Sequence, residues 1–137
     1  MQVNARSGRS GYGESMSQSA LLPADDAQAL AFADVIQTSP SGIVSRTLLQ
    51  TAELRVVLFS FAADQELTTH TSKRRALVQI LEGAGDVFYA EKWQRLAAGT
   101  LLHLPPNHPH AVRAGAGAFS MILTLGSELP GNPSTSL

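Results

Sequence analysis

The stretch GTLLHLPPNHPH, residues 99–110, joins an apolar segment to a proline-rich turn that holds two of the chain's four histidines. Its first half is rich in leucine and ends at Pro105, which predicts a short strand closed by a proline. Pro106 and Pro109 fix the backbone angle φ within the turn. We therefore expect His110 to enter the following strand in a defined direction.

The sequence on both sides of this stretch is typical of short strands separated by glycine, proline and asparagine. Such runs predict an all-β sandwich or barrel. One short helix is predicted over residues 23–34, PADDAQALAFAD, because acidic residues come early and alanine is frequent. The predicted strands are residues 42–50, 54–62, 75–83, 100–105, 110–114 and 118–125, with a hairpin over 86–96 that turns near Glu91 and Lys92.

Composition favours one folded domain. Of the 137 residues 44% are apolar and 15% are charged, and no cysteine is present, which excludes disulfides, thiolate catalysis and cysteine-based zinc sites. Residues 1–22 are rich in glycine and serine and are predicted to be disordered, and residues 128–137 to form a loose tail. The domain is therefore predicted to span residues 23–127.

Charge and hydropathy bear on partners and location. The net charge is −1 and no long basic block is present, so we expect no nucleic-acid partner. No apolar run approaches the roughly 20 residues of a membrane span, and the first residues lack the apolar core of a secretory signal. We expect no membrane partner and a cytoplasmic location.

The spacing in the opening stretch resembles the second motif of the cupin superfamily. In that motif glycine is followed after five residues by proline, and then by a glycine, a histidine and an asparagine. The chain keeps three of these positions, as Gly99, Pro105 and His110. Asn107 stands at the second glycine position and Ala114 at the asparagine position.

The first cupin motif is matched in a degenerate form at the corresponding distance upstream. It consists of a glycine, two histidines separated by one residue, a glutamate and a second glycine. The chain keeps the first histidine as His70 and the last glycine as Gly83. The other three positions are substituted, the glycine by Asp64, the second histidine by Ser72 and the glutamate by Ala76.

The resemblance covers about residues 43–125, with a motif core at 64–114, and identifies the chain as a small single-domain cupin similar to the cupin 2 conserved barrel. It implies a jelly-roll β-barrel of two packed antiparallel sheets. Full cupin sites hold a divalent metal, such as Zn, Fe, Mn or Ni, with three histidines and a glutamate. Only His70 and His110 carry over as metal ligands, and His108 is a candidate third ligand from the same turn. Because a stable site needs about three protein ligands, the chain either binds no metal or completes the site with another residue.

A ligand pocket is predicted around these histidines. Ala76 and Val78 have the inward parity assigned to His70 and Ser72, whereas Gln79 has the opposite parity. The predicted pocket consists of His70, Ser72, Ala76, Val78 and His110.

Other polar residues nearby are interpreted more simply. Glu66 is assigned to a solvated loop, and His103 to a packed or half-exposed position on a strand. The basic run KRR at 73–75 has two interpretations. It is a cationic rim that attracts a carboxylate or phosphate, or a solvated loop that keeps a sheet edge soluble.

Three functions follow from these features. The first is a small-molecule-binding cupin with an incomplete metal site and oxygenase, isomerase or decarboxylase-like chemistry. The second is a metal-free small-ligand-binding or sensing module without catalysis. The third is a structural module whose histidines only pack. Whether the chain is an enzyme stays open, and a homodimer is expected because sheet edges need cover.

Overall fold

The computed structural model describes residues 19–128, and most of these lie in antiparallel strands. This confirms the predicted all-β class. The five-stranded sheet has the order β1-β2-β9-β4-β7, and the four-stranded sheet has the order β3-β8-β5-β6. In chain order the elements are α1 (Phe32–Val35), β1 (Ile43–Gln50), β2 (Leu54–Phe61), β3 (Glu66–His70), β4 (Arg74–Glu82), β5 (Ala84–Tyr89), β6 (Lys92–Ala97), β7 (Leu101–Leu104), β8 (His110–Arg113) and β9 (Phe119–Glu128).

The main core lies between the inner faces of the two sheets. Strand β4 alternates strictly, with Ala76, Val78 and Ile80 buried and Gln79 exposed. The predicted parity of this strand is therefore confirmed. Val87 and Val112 of the four-stranded sheet belong to the same buried cluster, so the two sheets share one interior.

The predicted helix over residues 23–34 is wrong in extent, because α1 is a single turn at Phe32–Val35. Its N-terminal cap, Ala31, makes no side-chain hydrogen bond. A single uncapped turn gains little from alanine propensity. The segment instead packs its apolar residues on the outer face of the five-stranded sheet, where Leu30, Val35 and Ile36 contact a second buried cluster.

Order begins earlier in the chain than the predicted boundary at residue 22. Leu21 donates its backbone N–H to the Thr47 carbonyl at 3.3 Å, and Leu22 donates to the Leu48 carbonyl at 2.7 Å. These bonds cover part of the β1 edge. The remainder of the predicted disordered segment, residues 1–18, and residues 129–137 of the predicted tail lie outside the described residues. No helix within residues 19–128 is long and apolar enough to cross a lipid bilayer.

Strand β3 was not predicted, and Glu66 belongs to it rather than to a loop. Its sequence, ELTTH, has one large apolar residue and no alternating pattern, so it carries little signal of its own. The strand forms by pairing with β8, which sets Glu66 opposite Arg113 and His70 opposite His110. A register shift between Leu67 and His70 marks a β-bulge.

Two positions at which the chain departs from the cupin motifs have a backbone conformation that glycine adopts readily. Asp64 and Asn107 both have φ of 65°. This left-handed region is unfavourable for most residues, and aspartate and asparagine tolerate it best after glycine. The substitutions therefore preserve the turns at both motif positions.

Candidate functional site

His70 and His110 form a contacting pair on the inner face of the four-stranded sheet. They are directly opposite in the β3–β8 ladder, and ladder partners point to the same face. Their ring centroids lie 4.3 Å apart with an interplanar angle of 63°. Val112 lies two residues after His110 and is buried in the core, so this face is the interior of the barrel.

Each imidazole is oriented by a backbone carbonyl two residues before it. His70 Nδ1 lies 3.0 Å from the Thr68 carbonyl oxygen, and His110 Nδ1 lies 2.8 Å from the His108 carbonyl oxygen. A carbonyl can only accept, so Nδ1 of each ring carries the proton. In the neutral ring Nε2 is then an acceptor. His70 Nε2 is buried and has no hydrogen-bond partner among the described residues.

His110 is held in its neutral form. Burial lowers its pKa below the ordinary value of 6.5, and the neighbouring His70 and His108 lower it further. The hydrogen bond to the His108 carbonyl opposes this, because it also stabilises the protonated ring. At neutral pH the neutral ring therefore predominates at this position.

His70 lies at the wall of a cavity of about 700 Å³, between the β1 edge of one sheet and the β3 edge of the other. This volume is within the usual range for small-molecule sites. The wall combines apolar, hydroxyl and charged side chains. It consists of Ile43, Arg55, Glu66, Leu67, Thr68, His70, Thr71, Ser72, Arg74 and Leu125.

Comparison with known proteins agrees with this arrangement of a barrel around a ligand-sized cavity. The family model of the AraC-like ligand binding domain matches residues 56–130. That match covers more than half of the chain. The chain belongs to the cupin superfamily, in the AraC-like ligand binding domain family. Members of this family bind small molecules, and the predicted recognition is confirmed.

Solved structures support the cupin jelly roll. A protein of unknown function from Streptococcus pyogenes is 28% identical, with a TM-score of 0.69, and the match covers 83% of this chain and 99% of that one. A cupin superfamily protein from Desulfitobacterium hafniense is 23% identical, with a TM-score of 0.68 over 80% and 99% of the two chains. A cupin 2 conserved barrel domain protein from Leptotrichia buccalis is 33% identical, with a TM-score of 0.66 over 69% and 46%. No curated protein matches the chain.

The structure of this cupin separates the residues of the predicted pocket. His70 and Ser72 are at the cavity wall, and His110 packs against the His70 ring. Ala76 and Val78 lie instead in the hydrophobic core and do not line the cavity. The parity argument placed them with His70 as if on one strand, whereas β3 and β4 belong to different sheets.

His108 is not brought together with the other two histidines. Its Nε2 accepts a hydrogen bond from the Ala90 backbone N–H at 3.3 Å. It lines a separate depression with Phe88, Glu91 and Pro109. Pro109 interrupts the strand alternation, so His108 and His110 do not share a face.

Several cavity residues were missed in the sequence. Arg55 is the most informative, because it stands at the start of β2 and has the same parity as the buried Val57 and Phe59. A charged residue at an inward-facing strand position is unusual, and this feature of the sequence could have identified Arg55 as a cavity residue. The two arginines of the basic run at 73–75 lie in different places. Arg74 lines the cavity, whereas Arg75 is exposed beside His103.

The donor set does not fit the metal of full cupin sites. Within residues 19–128 no group of three or more His, Asp or Glu side chains is placed to hold a metal ion. Two imidazoles supply fewer ligands than the three that a stable site requires. Among the described side chains at the cavity wall, Glu66 carries a carboxylate, and this side chain is exposed. The side chains that the structure describes are therefore not arranged as a resident metal centre.

Proposed function

We propose that this cupin binds a small organic molecule in the cavity at His70, as a binding or sensing module without a resident metal. The observation that carries the proposal is His70, which lines the cavity and whose buried Nε2 atom has no partner among the described residues. A buried polar atom without a hydrogen bond costs about 1–3 kcal/mol. A ligand that supplies the hydrogen bond recovers this cost.

The neighbouring groups support recognition by hydrogen bonding. In the neutral His70 ring with its Nδ1 proton bonded to the Thr68 carbonyl, Nε2 accepts, so a ligand that bonds to this atom donates. The neutral His110 ring packs edge-on against it. His70 is therefore held in one orientation, which favours selective binding over a flexible contact.

The apolar part of the wall gives the ligand its second requirement. Ile43, Leu67 and Leu125 present hydrocarbon surface to the same cavity. Small-molecule sites commonly combine such surface with a few polar groups that fix orientation. We infer a ligand with an apolar body and at least one hydroxyl or amine hydrogen.

The test is a thermal-shift screen of wild type and the variants His70→Ala and His103→Ala, run with small organic molecules and separately with Mn, Fe, Ni and Zn. His103 is exposed and bonded to Arg75, so its variant is the matched control. We expect ligands found with wild type to bind His70→Ala about tenfold more weakly, in line with the loss of one buried hydrogen bond.

Stabilisation by a metal that requires both His70 and His110 would instead support the metal-dependent function. A complete lack of response to organic molecules and metals would support a purely structural module. Binding that His103→Ala weakens as much as His70→Ala would exclude His70 as the recognition residue.

Homodimer formation and a cytoplasmic location stay predictions. The short edge strand β7 supports pairing, because its Leu101 is 64% exposed on the outer surface of the sheet. Gel filtration with light scattering measures the oligomeric state. Replacement of Leu101 by lysine is expected to yield monomers if this edge forms the interface.

A further inference from the structure

We propose that the ligand of this cavity carries a carboxylate, and that Arg55 and Arg74 form the subsite that holds it. This inference rests on the proposed function and adds the chemical class of the ligand. Both arginines line the same cavity as His70. The anion would lie between the two guanidinium groups, with the rest of the molecule directed along the apolar wall towards His70.

The strand register brings the two arginines to one end of the barrel. Arg55 begins the inward-facing series of β2, and Arg74 begins that of β4. Strand β9 lies between β2 and β4, and its Leu125 is opposite both Arg55 and Ala76. Since neighbouring strands are about 4.8 Å apart, the β2 and β4 backbones are separated by about 10 Å. Two long side chains that share a cavity can converge across this distance over Leu125.

Neither arginine has a carboxylate partner among the described side chains. Asp86, on another part of the molecule, forms ion pairs with Arg95 at 3.2 Å and Arg113 at 3.3 Å. Arg55 Nη2 donates a hydrogen bond to Thr47 Oγ1 at 3.5 Å, and its buried Nε has no hydrogen-bond partner among residues 19–128. Glu66 lines the cavity but is exposed and makes no ion pair with either arginine.

Such an arrangement is unfavourable unless something compensates it. Burial, and secondarily the charge of Arg74, lower the pKa of Arg55. Guanidinium groups nevertheless stay protonated, so two like charges face one cavity. Unfavourable charge arrangements of this kind are concentrated at functional sites. An anion in the cavity would supply an opposite charge and acceptors for the guanidinium N–H groups that line it.

The geometry of the guanidinium group favours a carboxylate. Its planar fork of N–H donors matches the two oxygens of a carboxylate, and a charge-assisted pair is about twice as strong as a neutral hydrogen bond. The apolar wall accommodates a hydrocarbon body, and His70 Nε2 accepts from a hydroxyl. The structure thus points to a hydroxylated organic acid as the ligand class.

The experiment uses benzoate, its neutral analogue benzamide, and phenyl phosphate as probes. Binding is followed by NMR through the Nε–H signals of the arginines, with wild type and the variants Arg55→Gln, Arg74→Gln and Arg75→Gln. Arg75→Gln is a matched control, because Arg75 follows Arg74 directly, is exposed, and donates to His103 Nε2 at 2.8 Å. It changes the net charge by the same amount but leaves the cavity intact.

We expect benzoate to shift the Arg55 Nε–H signal saturably and to bind at least about tenfold more tightly than benzamide. Arg55→Gln and Arg74→Gln should each weaken benzoate binding about 10- to 100-fold, the effect of one charge-assisted hydrogen bond, and Arg75→Gln less than about twofold. If circular dichroism shows that Arg55→Gln does not fold, Arg55→Lys replaces it. Lysine retains the charge but loses the fork, and should weaken binding by a smaller factor.

Equal binding of benzoate and benzamide would overturn the inference, as would no saturable shift up to about 50 mM benzoate, a concentration well above a weak millimolar Kd. An equal effect of Arg74→Gln and Arg75→Gln would indicate nonspecific attraction and would also overturn it. Tighter binding of phenyl phosphate would reject the carboxylate assignment. If neutral compounds bind through His70 while benzoate has no advantage, the anion subsite is excluded and the proposed function stands. If no organic molecule binds, the proposed function itself is excluded.

Discussion

The two ends of the barrel interior are built from the same strands but have opposite character. At one end, the packed end, Phe61 and Phe119 stack with ring centroids 4.6 Å apart. At the other, the polar end, Arg55, His70 and Arg74 surround an open cavity. Strand β2 runs from Arg55 to Phe61, so six residues, or about 20 Å of strand, separate the two environments.

This contrast shows how a small barrel divides stability from binding. The packed end leaves no space even for a methyl group, since a Cβ on Gly85 would lie 2.6 Å from the Phe119 ring. The polar end retains a cavity of about 700 Å³ and two buried nitrogens, on Arg55 and His70, that have no hydrogen-bond partner in the described part of the chain. Residues at the packed end should therefore contribute to stability, and those at the polar end should reduce it while they serve recognition.

The largest test of the comparison is Phe119→Ala at the packed end. Phe119 is 3% exposed and stacks on Phe61, so truncation removes buried apolar surface and leaves a cavity. We expect the free energy of unfolding to fall by about 3–5 kcal/mol, measured by urea denaturation. Phe32→Ala is the control, because Phe32 is 40% exposed, and its effect should stay below about 0.5 kcal/mol. Similar losses in both variants would contradict the assignment of a packed end.

Most strands of the packed end were predicted from the sequence, because their apolar residues alternate or form continuous runs. The strands of the five-stranded sheet alternate or form continuous apolar runs, and their predicted bounds agree with β1, β2, β4, β7 and β9 to within about three residues. The motif spacing was informative as well, since Asp64 and Asn107, which stand at motif glycine positions, have the positive φ that glycine adopts readily. The residue types at these two positions thus reflect the positive φ that the backbone requires there.

The polar end was readable only in part. His70 and His110 were found through the motif spacing, but β3, the strand that carries His70, has no periodic pattern and exists through pairing with β8. Arg55 and Arg74 are about 20 positions apart in sequence. They line the same cavity because β2 and β4 both pair with β9. The position of the last strand between two earlier strands is a property of sheet topology, which the spacing of residues along the sequence does not predict.

The second test concerns the polar end, where we expect a substitution to raise the free energy of unfolding instead of lowering it. Replacement of Arg55 by methionine removes a half-buried charge near Arg74 and keeps most of the side-chain volume. We expect the free energy of unfolding to rise by about 1 kcal/mol, as for other buried charges replaced by apolar groups. Arg75→Met, at an exposed site, should change it by less than about 0.5 kcal/mol. A clear loss of stability in Arg55→Met would mean that the guanidinium is already compensated within the fold.

The smallest test concerns His110, which combines the burial of the packed end with the chemistry of the polar end, at 6% exposure. Burial lowers its pKa in the folded state below 6.5, so below that pH the unfolded chain binds more protons at this residue. Stability from His110 is therefore present above pH 6.5 and is lost as the pH falls from 6.5 towards the folded-state pKa.

The comparison of wild type with His110→Gln isolates this contribution. Urea denaturation at pH of about 7.5 and 5.5 should show a larger loss of unfolding free energy on acidification in wild type, by no more than about 1.4 kcal/mol per pH unit. His103→Gln, on the exposed face of β7, is the control for the removal of an imidazole outside the barrel interior. An identical pH dependence in wild type and His110→Gln would place the proton uptake elsewhere. Burial would then not hold His110 in its neutral form, and its packing against His70 would have to be explained without that constraint.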